Sequence, residues 1–320
     1  MLYNTKKELM MSRCLVTGHK GYIGGHLFKK LKEMGHEVIG IDLQDGHDIN
    51  SDLNHGLNKK SFHPLYYNFK PEYIFHLACI PRVLYSVENP VETTKNNVLA
   101  TTNVLNFAKA VGAKRVIFSS SSSVVGDGEG PISPYALQKL YSEMECRLWS
   151  KIYGLDTVSL RYFNVYSEDQ KADSAYATAI ANWMKYIKEE KAPFLNGDGS
   201  QRRDMVHVDD VVSSNIFAMN YDDLFYGSNF DVGTGQNISL NEIIEIIHEY
   251  FPQVEFEKRP TRQGDVLLTR ANSKRLKKIG WSAKIPIKGG IRNCFKELCE
   301  FKAGKGRSLM RNNNYRIQGD

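Results

Sequence analysis

Cysteine is scarce in this sequence, and what there is does not pair. Five residues in 320, Cys14, Cys79, Cys146, Cys294 and Cys299, form an odd, scattered set without CxxC spacing. That pattern suggests neither a disulfide framework nor a zinc site; it reads as reduced thiols packed among apolar neighbours. No apolar run reaches the roughly 18 residues of a membrane helix, and no basic-then-apolar leader is present, so a cytoplasmic protein that meets no membrane is expected. Charge of one sign is not in large excess either: 42 Lys and Arg against 36 Asp and Glu leave a net +6. That balance suits an anionic ligand such as a phosphate ester and equally suits lysine-rich solvated faces. The basic C-terminal tail has few aromatics and no nucleic-acid-binding module, so no nucleic-acid partner is expected. A length of 320 residues favours two domains, or one with a substantial extension.

What is present is a rhythm. Apolar runs rich in β-branched residues, 14–18, 36–42, 73–78, 115–120 and 158–163, alternate with helical stretches at 22–35, 97–111 and 135–153. This is the pattern of a doubly wound parallel sheet covered by helices, an α/β fold of Rossmann type. Beyond residue 166 the pattern loosens into helices near 174–190, 209–219, 240–251 and 288–303, with short strands near 193–195 and 254–259. The run NFDVGTG, 229–235, is expected to return to the main sheet, which interleaves the two parts in sequence. Residues 1–10 and 306–320 lack an apolar face and are expected to be disordered tails.

In LVTGHKGYIGGHL three glycines, Gly18, Gly21 and Gly24, join a strand to a helix. Missing side chains there let backbone N–H groups and the helix N-terminus meet a pyrophosphate, so a dinucleotide is the expected ligand. Asp42 ends the second strand, at the offset where a carboxylate takes the adenosine ribose hydroxyls. No Arg follows it in DLQDGHD, which favours NAD over NADP. SPYALQK supplies Tyr135 and Lys139 one turn apart on a helix. An ammonium and a cationic ring beside a phenol favour the phenolate, so the pair suits acid/base work. Two other Tyr-x-x-x-Lys matches, Tyr3 with Lys7 and Tyr66 with Lys70, occur by chance; only Tyr135 opens a helix just after a strand end where such a sheet places its ligand.

These motifs resemble the extended short-chain dehydrogenases/reductases, specifically the NAD-dependent nucleotide-sugar epimerase/dehydratase family. TGHKGYIGG, HLAC (76–79), NNV (96–98), YALQK, LRYFNVY (160–166), RRDMVHVDDV (202–211) and RQGDVLLTRANSKRLKKIGW (262–281) follow the family's order. The resemblance implies an NAD-binding part at 12–165, joined by 205–235, and a smaller substrate-binding part at 166–204 and 236–305. It implies cofactor contacts from Gly18, Gly21, Tyr22, Ile23, Gly24, Asp42, Asp48, Ile49, Leu77, Ala78, Asn97, Ser119, Tyr135, Lys139 and Tyr162. Tyr135, Lys139 and Ser121 are its expected catalytic trio. Arg82, Ser121, Ser122, Asn164, Phe194, Arg203, Arg262, Asp265 and Thr269 are expected to meet the substrate, Phe194 in place of the aromatic that often stands at Asn196, and Thr269 as a small gate beside the sugar's C2 group. No metal is implied. Dehydratases of the family carry an acid just after the catalytic hydroxyl, where this chain has Ser122 and Ser123, so the expected reaction is 4-epimerisation of a UDP-sugar through a transient 4-keto intermediate. UDP-GlcNAc/UDP-GalNAc and UDP-Glc/UDP-Gal are both admitted, and Arg82 keeps UDP-glucuronate as an alternative. Relatives that keep the fold as regulatory modules typically lose the tyrosine or lysine, and both stand here. A homodimer through the helices at 97–111 and 135–153 is expected by analogy.

Overall fold

The computed structural model describes residues 11–54, 62–126, 128, 130–172, 178–261 and 267–304. The expected tails therefore lie outside the described residues, as do Arg262 and Asp265. The main sheet contains β1 (Arg13–Thr17), β2 (Glu37–Ile41), β3 (Tyr73–His76), β4 (Arg115–Ser121) and β5 (Thr157–Tyr162). Between β5 and the last strand of this sheet come three short ones, β6 (Asn164–Tyr166), β7 (Phe194–Asn196) and β8 (Arg202–Arg203), followed by β9 (Met205–His207). Strand β10 (Ser228–Val232) then returns to the main sheet, whose order is β10-β5-β4-β3-β1-β2 with every pairing parallel.

The sheet is buried on both faces because helices cover both, and side-chain alternation sorts its strands into two cores. Val16, Phe75 and Ile117 pack with Leu27, Leu31, Val211 and Val212, under the helices Tyr22–Glu33 and Val208–Asn220. Leu15, Ile74, Val116 and Phe118 pack on the other side with Val104, Phe107 and Cys146, under Ala100–Val111 and Pro134–Tyr153. Ser133 caps the last of these helices by accepting from the Ala136 N–H, and Pro134 occupies its first turn. A third core, with Tyr166, Trp183, Leu195, Ile243 and Phe295, belongs to the C-terminal part, where β11 (Ile238–Ser239) pairs with β8 and β12 (Glu257–Arg259) with β7. None of the described helices is long and apolar enough to cross a membrane.

Two features depart from the periodicity. The helix expected from residue 97 is preceded by short helices at Val83–Glu88 and Pro90–Thr94 and by a wide π turn over Lys95–Leu99, with Asn97 inside it. The cysteines do not all pack: Cys14, Cys146 and Cys294 are buried, while Cys79 lines the crevice described below.

Candidate active site

The strand order reverses at β1, and the carboxyl ends of β1, β3, β4 and β5 open onto one crevice, where an α/β sheet binds its ligand. Its cavity volume is about 430 Å³. Gly18, Gly21, Tyr22, Ile23 and Gly24 form its floor. The glycines serve two ends. A Cβ on Gly24 would stand 2.0 Å from the Gly18 carbonyl oxygen, and Gly18 itself, at φ +72°, lies against the Ala78 backbone. Gly21 meets nothing but the Gly18 oxygen at 3.1 Å, which leaves the crevice side of the turn clear for a ligand's phosphates.

Beyond the turn the β3 end is fixed by a chain of hydroxyls. Thr17 Oγ1 accepts from both Leu77 N and Ala78 N and lies 2.8 Å from His76 Nδ1. His76 Nε2 is 3.1 Å from Thr101 Oγ1, which donates to the Asn97 carbonyl. With both acceptor sites of Thr17 used, its proton goes to Nδ1 and the histidine donates from Nε2. Burial, reinforced by the charge of Lys139, pushes His76 down to about 3, so it stays neutral. Asn97 pins the following loop through both Ile80 N and Ile80 O and also donates to Gln138. It acts on the crevice from behind.

Tyr135, Lys139 and Ser121 converge on the crevice. Lys139, 3% exposed, donates to the Ser119 carbonyl at 2.7 Å, and its Nζ is 6.0 Å from the centre of the Tyr135 ring. Ser121 lines the crevice with the phenol, and its hydroxyl accepts from Ser123 N and Ser123 Oγ. Burial drives the Tyr135 phenol well above its usual range; Cys79 adds to the rise and Ser121 opposes it. Tyr162 also lines the crevice, with its hydroxyl tied to Ser119 and Asn215. Burial pushes it up to about 12. Arg82, exposed, Ser122 and Ser123 complete the rim. Among the described lining residues there is no carboxylate.

A second cavity, of about 200 Å³, abuts the first, and Asn164 and Thr178 line both. Phe194, Asn196 and Arg203 border it, together with Asn182, Trp183 and Gln201, which no motif announced. Arg259 stacks its guanidinium 4.1 Å over the Phe194 ring. Thr269 borders neither cavity; its hydroxyl accepts from Asn164 Nδ2 at 3.3 Å and from Asp204 N at 3.2 Å. Asp42, Asp48, Ile49 and Ala78 also lie outside both linings. Asp42 and Asp48 cap the turns after β2, and Ile49 is buried.

Comparison with known proteins follows the same outline. A match to the NAD dependent epimerase/dehydratase family runs over residues 14–233. The chain belongs to that family. It is an NAD-dependent enzyme, and the glycine turn, open on the crevice side of Gly21, fits that cofactor. Within the family, the UDP-glucose 4-epimerase of Mycolicibacterium smegmatis is 31% identical, with 87% of this chain and 96% of that one covered. The UDP-glucuronate 4-epimerase of Thermodesulfobacterium geofontis is 30% identical, covering 88% and 94%. Among solved structures, the UDP-N-acetylglucosamine 4-epimerase of Methanobrevibacter ruminantium superposes with a TM-score of 0.79 at 28% identity, covering 89% and 97%.

Proposed function

We propose that the protein inverts C4 of a UDP-sugar through a transient 4-keto sugar. The observation that carries this reading is the make-up of the crevice: a phenol, an ammonium and a hydroxyl converge, and no described carboxylate joins them. Elimination of water would need an additional acid and base beside the sugar, and Ser122 and Ser123 provide neither. Tyr135 takes the proton from the sugar's 4-hydroxyl and later returns it, while Ser121 bridges phenol and sugar oxygen. Lys139, fixed on the Ser119 carbonyl, holds the nicotinamide ribose. Bound NAD supplies the hydride acceptor and, when oxidised, the positive charge that draws the buried Tyr135 phenol down toward a usable base. Gly18 through Gly24, Asp42, Asp48, Ile49, Leu77, Ala78 and Tyr162 hold the dinucleotide, and Asn97 positions the loop beside it.

The nucleotide is the fixed end of the substrate. Phe194 stacks on the base, Arg203 neutralises the diphosphate, and Asn164, held by Thr269, stands at the junction of the two cavities. The division of labour is then a cofactor part at 12–165 with 205–235 and a substrate part at 166–204 and 236–305. An exposed stripe on the helix Pro134–Tyr153, Leu137, Tyr141, Met144, Leu148 and Ile152, supports a homodimer through this face. We place the reaction in the cytoplasm, where it would supply precursors for surface polysaccharide.

Purified protein with UDP-glucose, UDP-GlcNAc or UDP-glucuronate, followed by NMR without added NAD, should show axial/equatorial interchange at C4 of at least one sugar. No interchange with any of the three sinks the reading. One observation favours glucuronate as a second reading: Arg82 is an exposed cation on the crevice rim, able to meet a C6 carboxylate.

A further inference from the structure

The helix Pro134–Tyr153 carries one more buried polar group on the face that bears Tyr135 and Lys139. Tyr135, Lys139 and Glu143 follow one another at four-residue intervals, so they stack along one side of the helix. Glu143 is 3% exposed and lines neither cavity. Its Oε1 accepts from Ser120 Oγ at 2.5 Å and from Arg161 Nε at 2.8 Å, and its Oε2 accepts from Arg161 Nη2 at 2.7 Å. Ser120 and Arg161 are register partners on β4 and β5, so one carboxylate grips both strands at once. The next residue along each strand, Ser121 on β4 and Tyr162 on β5, lines the crevice.

The helix thus meets the end of β4 at consecutive residues and with opposite polarity. Lys139 donates to the Ser119 carbonyl, and Glu143 accepts from the Ser120 hydroxyl. A single hydrogen bond leaves a strand end free to pivot about it. A second, one helical turn away and of reversed sense, fixes where the helix stands along the strand. Burying a carboxylate is costly unless it is paired and its lone pairs are used. Arg161 provides that pairing in bidentate form, and its Nη1 lies 3.9 Å from Asp231 Oδ1 on β10. Apolar packing alone would hold this helix on the sheet; a compensated buried charge adds a directional contact, which packing is not.

We propose that Glu143 is a positioning residue for the reaction: by holding Ser120 it sets the distance between the Ser121 hydroxyl at the strand end and the Tyr135 phenol at the start of the helix. It acts through Ser120 and touches neither substrate nor cofactor. Proton transfer loses rate steeply with small displacements, so the effect falls on kcat and spares binding. The proposal rests on the reading of Tyr135 and Ser121 as the groups that move the proton.

The test compares Ser120→Ala, Glu143→Gln and the double variant with the parent. Ser120→Ala removes the grip and leaves the Glu143–Arg161 pair whole, so it decides the matter even if Glu143→Gln, which strands a buried guanidinium, fails to fold. In Ser120→Ala kcat should fall about tenfold, and in Glu143→Gln at least as far, with KM and NADH affinity within about twofold of the parent. The double variant should fall no further than Glu143→Gln, because both changes remove one contact. A kcat within about twofold of the parent in Ser120→Ala overturns the proposal, as does a loss carried by KM, or losses that multiply in the double variant. Amide hydrogen exchange at residues 119–123 reads the grip without turnover. It should quicken in Ser120→Ala, and unchanged exchange there overturns the grip. A parent that interchanges C4 of no UDP-sugar fails the proposed reaction instead, and exchange still decides the grip.

Discussion

The two abutting cavities are built in opposite ways. Around the crevice several lining side chains stand on long strands or helices and are fastened from behind: Lys139 to the Ser119 carbonyl, Tyr162 to Ser119 and Asn215, and Ser120 to Glu143, which also takes Arg161 in a bidentate pair. The smaller cavity sets the short strands β7, β8 and β9, of two or three residues each, against the helix Ala179–Lys188 and the start of the helix Leu240–Tyr250. There a buried carboxylate, Asp204, accepts from Thr234 N and Gly235 N of one segment and from Ala271 N of another, and so joins both to its own. Proton and hydride transfer lose rate steeply with small displacements, whereas holding a flat base and a diphosphate tolerates them. On the proposed function, the crevice carries the chemistry and the smaller cavity the recognition.

The largest effect that would break this contrast is on turnover. Tyr135→Phe keeps the ring and removes the hydroxyl, so kcat should fall by about 10³ with KM and cofactor binding nearly unchanged. Retention of more than about a tenth of the activity would remove Tyr135 from the role of base. Next is Gly24→Ala. Its methyl would need the space of the Gly18 carbonyl, 2.0 Å away, so the turn must shift at a cost of about 1–3 kcal/mol. Calorimetry should show a lower melting temperature and lost NAD binding, while UDP still binds the other cavity. If UDP binding fails with it, the two halves are not separable.

Thr269→Val is a smaller perturbation that sharpens the comparison from the recognition side. It removes an acceptor from Asn164 and should raise KM about fivefold, with kcat changed less than about twofold. A kcat loss of the same size would place Thr269 with the chemistry. The smallest expected effect is on stability. Glu242 caps the helix Leu240–Tyr250, accepts from Ser239 N, and is flanked by Lys288 and Arg202. These partners, the Ser239 backbone bond first, hold its carboxyl down to about 2 from an ordinary 4.5. A depressed acid contributes stability that is whole above about 4.5 and lost as pH falls toward 2. Thermal melts should show Glu242→Gln lower than the parent by roughly 2 °C at pH 7 and indistinguishable from it near pH 2. A constant gap across that range would rule out the charge.

Particular residues show why one half was legible and the other less so. The three Tyr-x-x-x-Lys matches are the same string, and position separated two of them within the described residues: Tyr66 is fully buried, its helix ends at Lys70 with φ 50°, and the pair never shares a helical face. Ser133, Pro134 and the strand alternation are local signals, and the elements they announce stand within a residue or two of expectation. Asn182 on the helix Ala179–Lys188, its cap Thr178 and the loop residue Gln201 carry no such signal, because periodicity locates a helix without marking which of its polar residues will line a cavity. The absence of an Arg after Asp42 was read correctly in sequence, yet a cation is present there because Lys20 N reaches Asp42.

By itself the amino-acid sequence made legible the doubly wound sheet, the glycine turn and the tyrosine–lysine pair, because the strands, helices and turn that compose them are local patterns, which periodicity and spacing record. Only the tertiary structure decided that Thr269 holds Asn164 across 105 positions, that Asp204 gathers three segments, and that Asp45 engages a lysine of the glycine turn. Those contacts form between side chains far apart in sequence, and no local pattern of residues encodes which of many polar groups will meet once the backbone has closed.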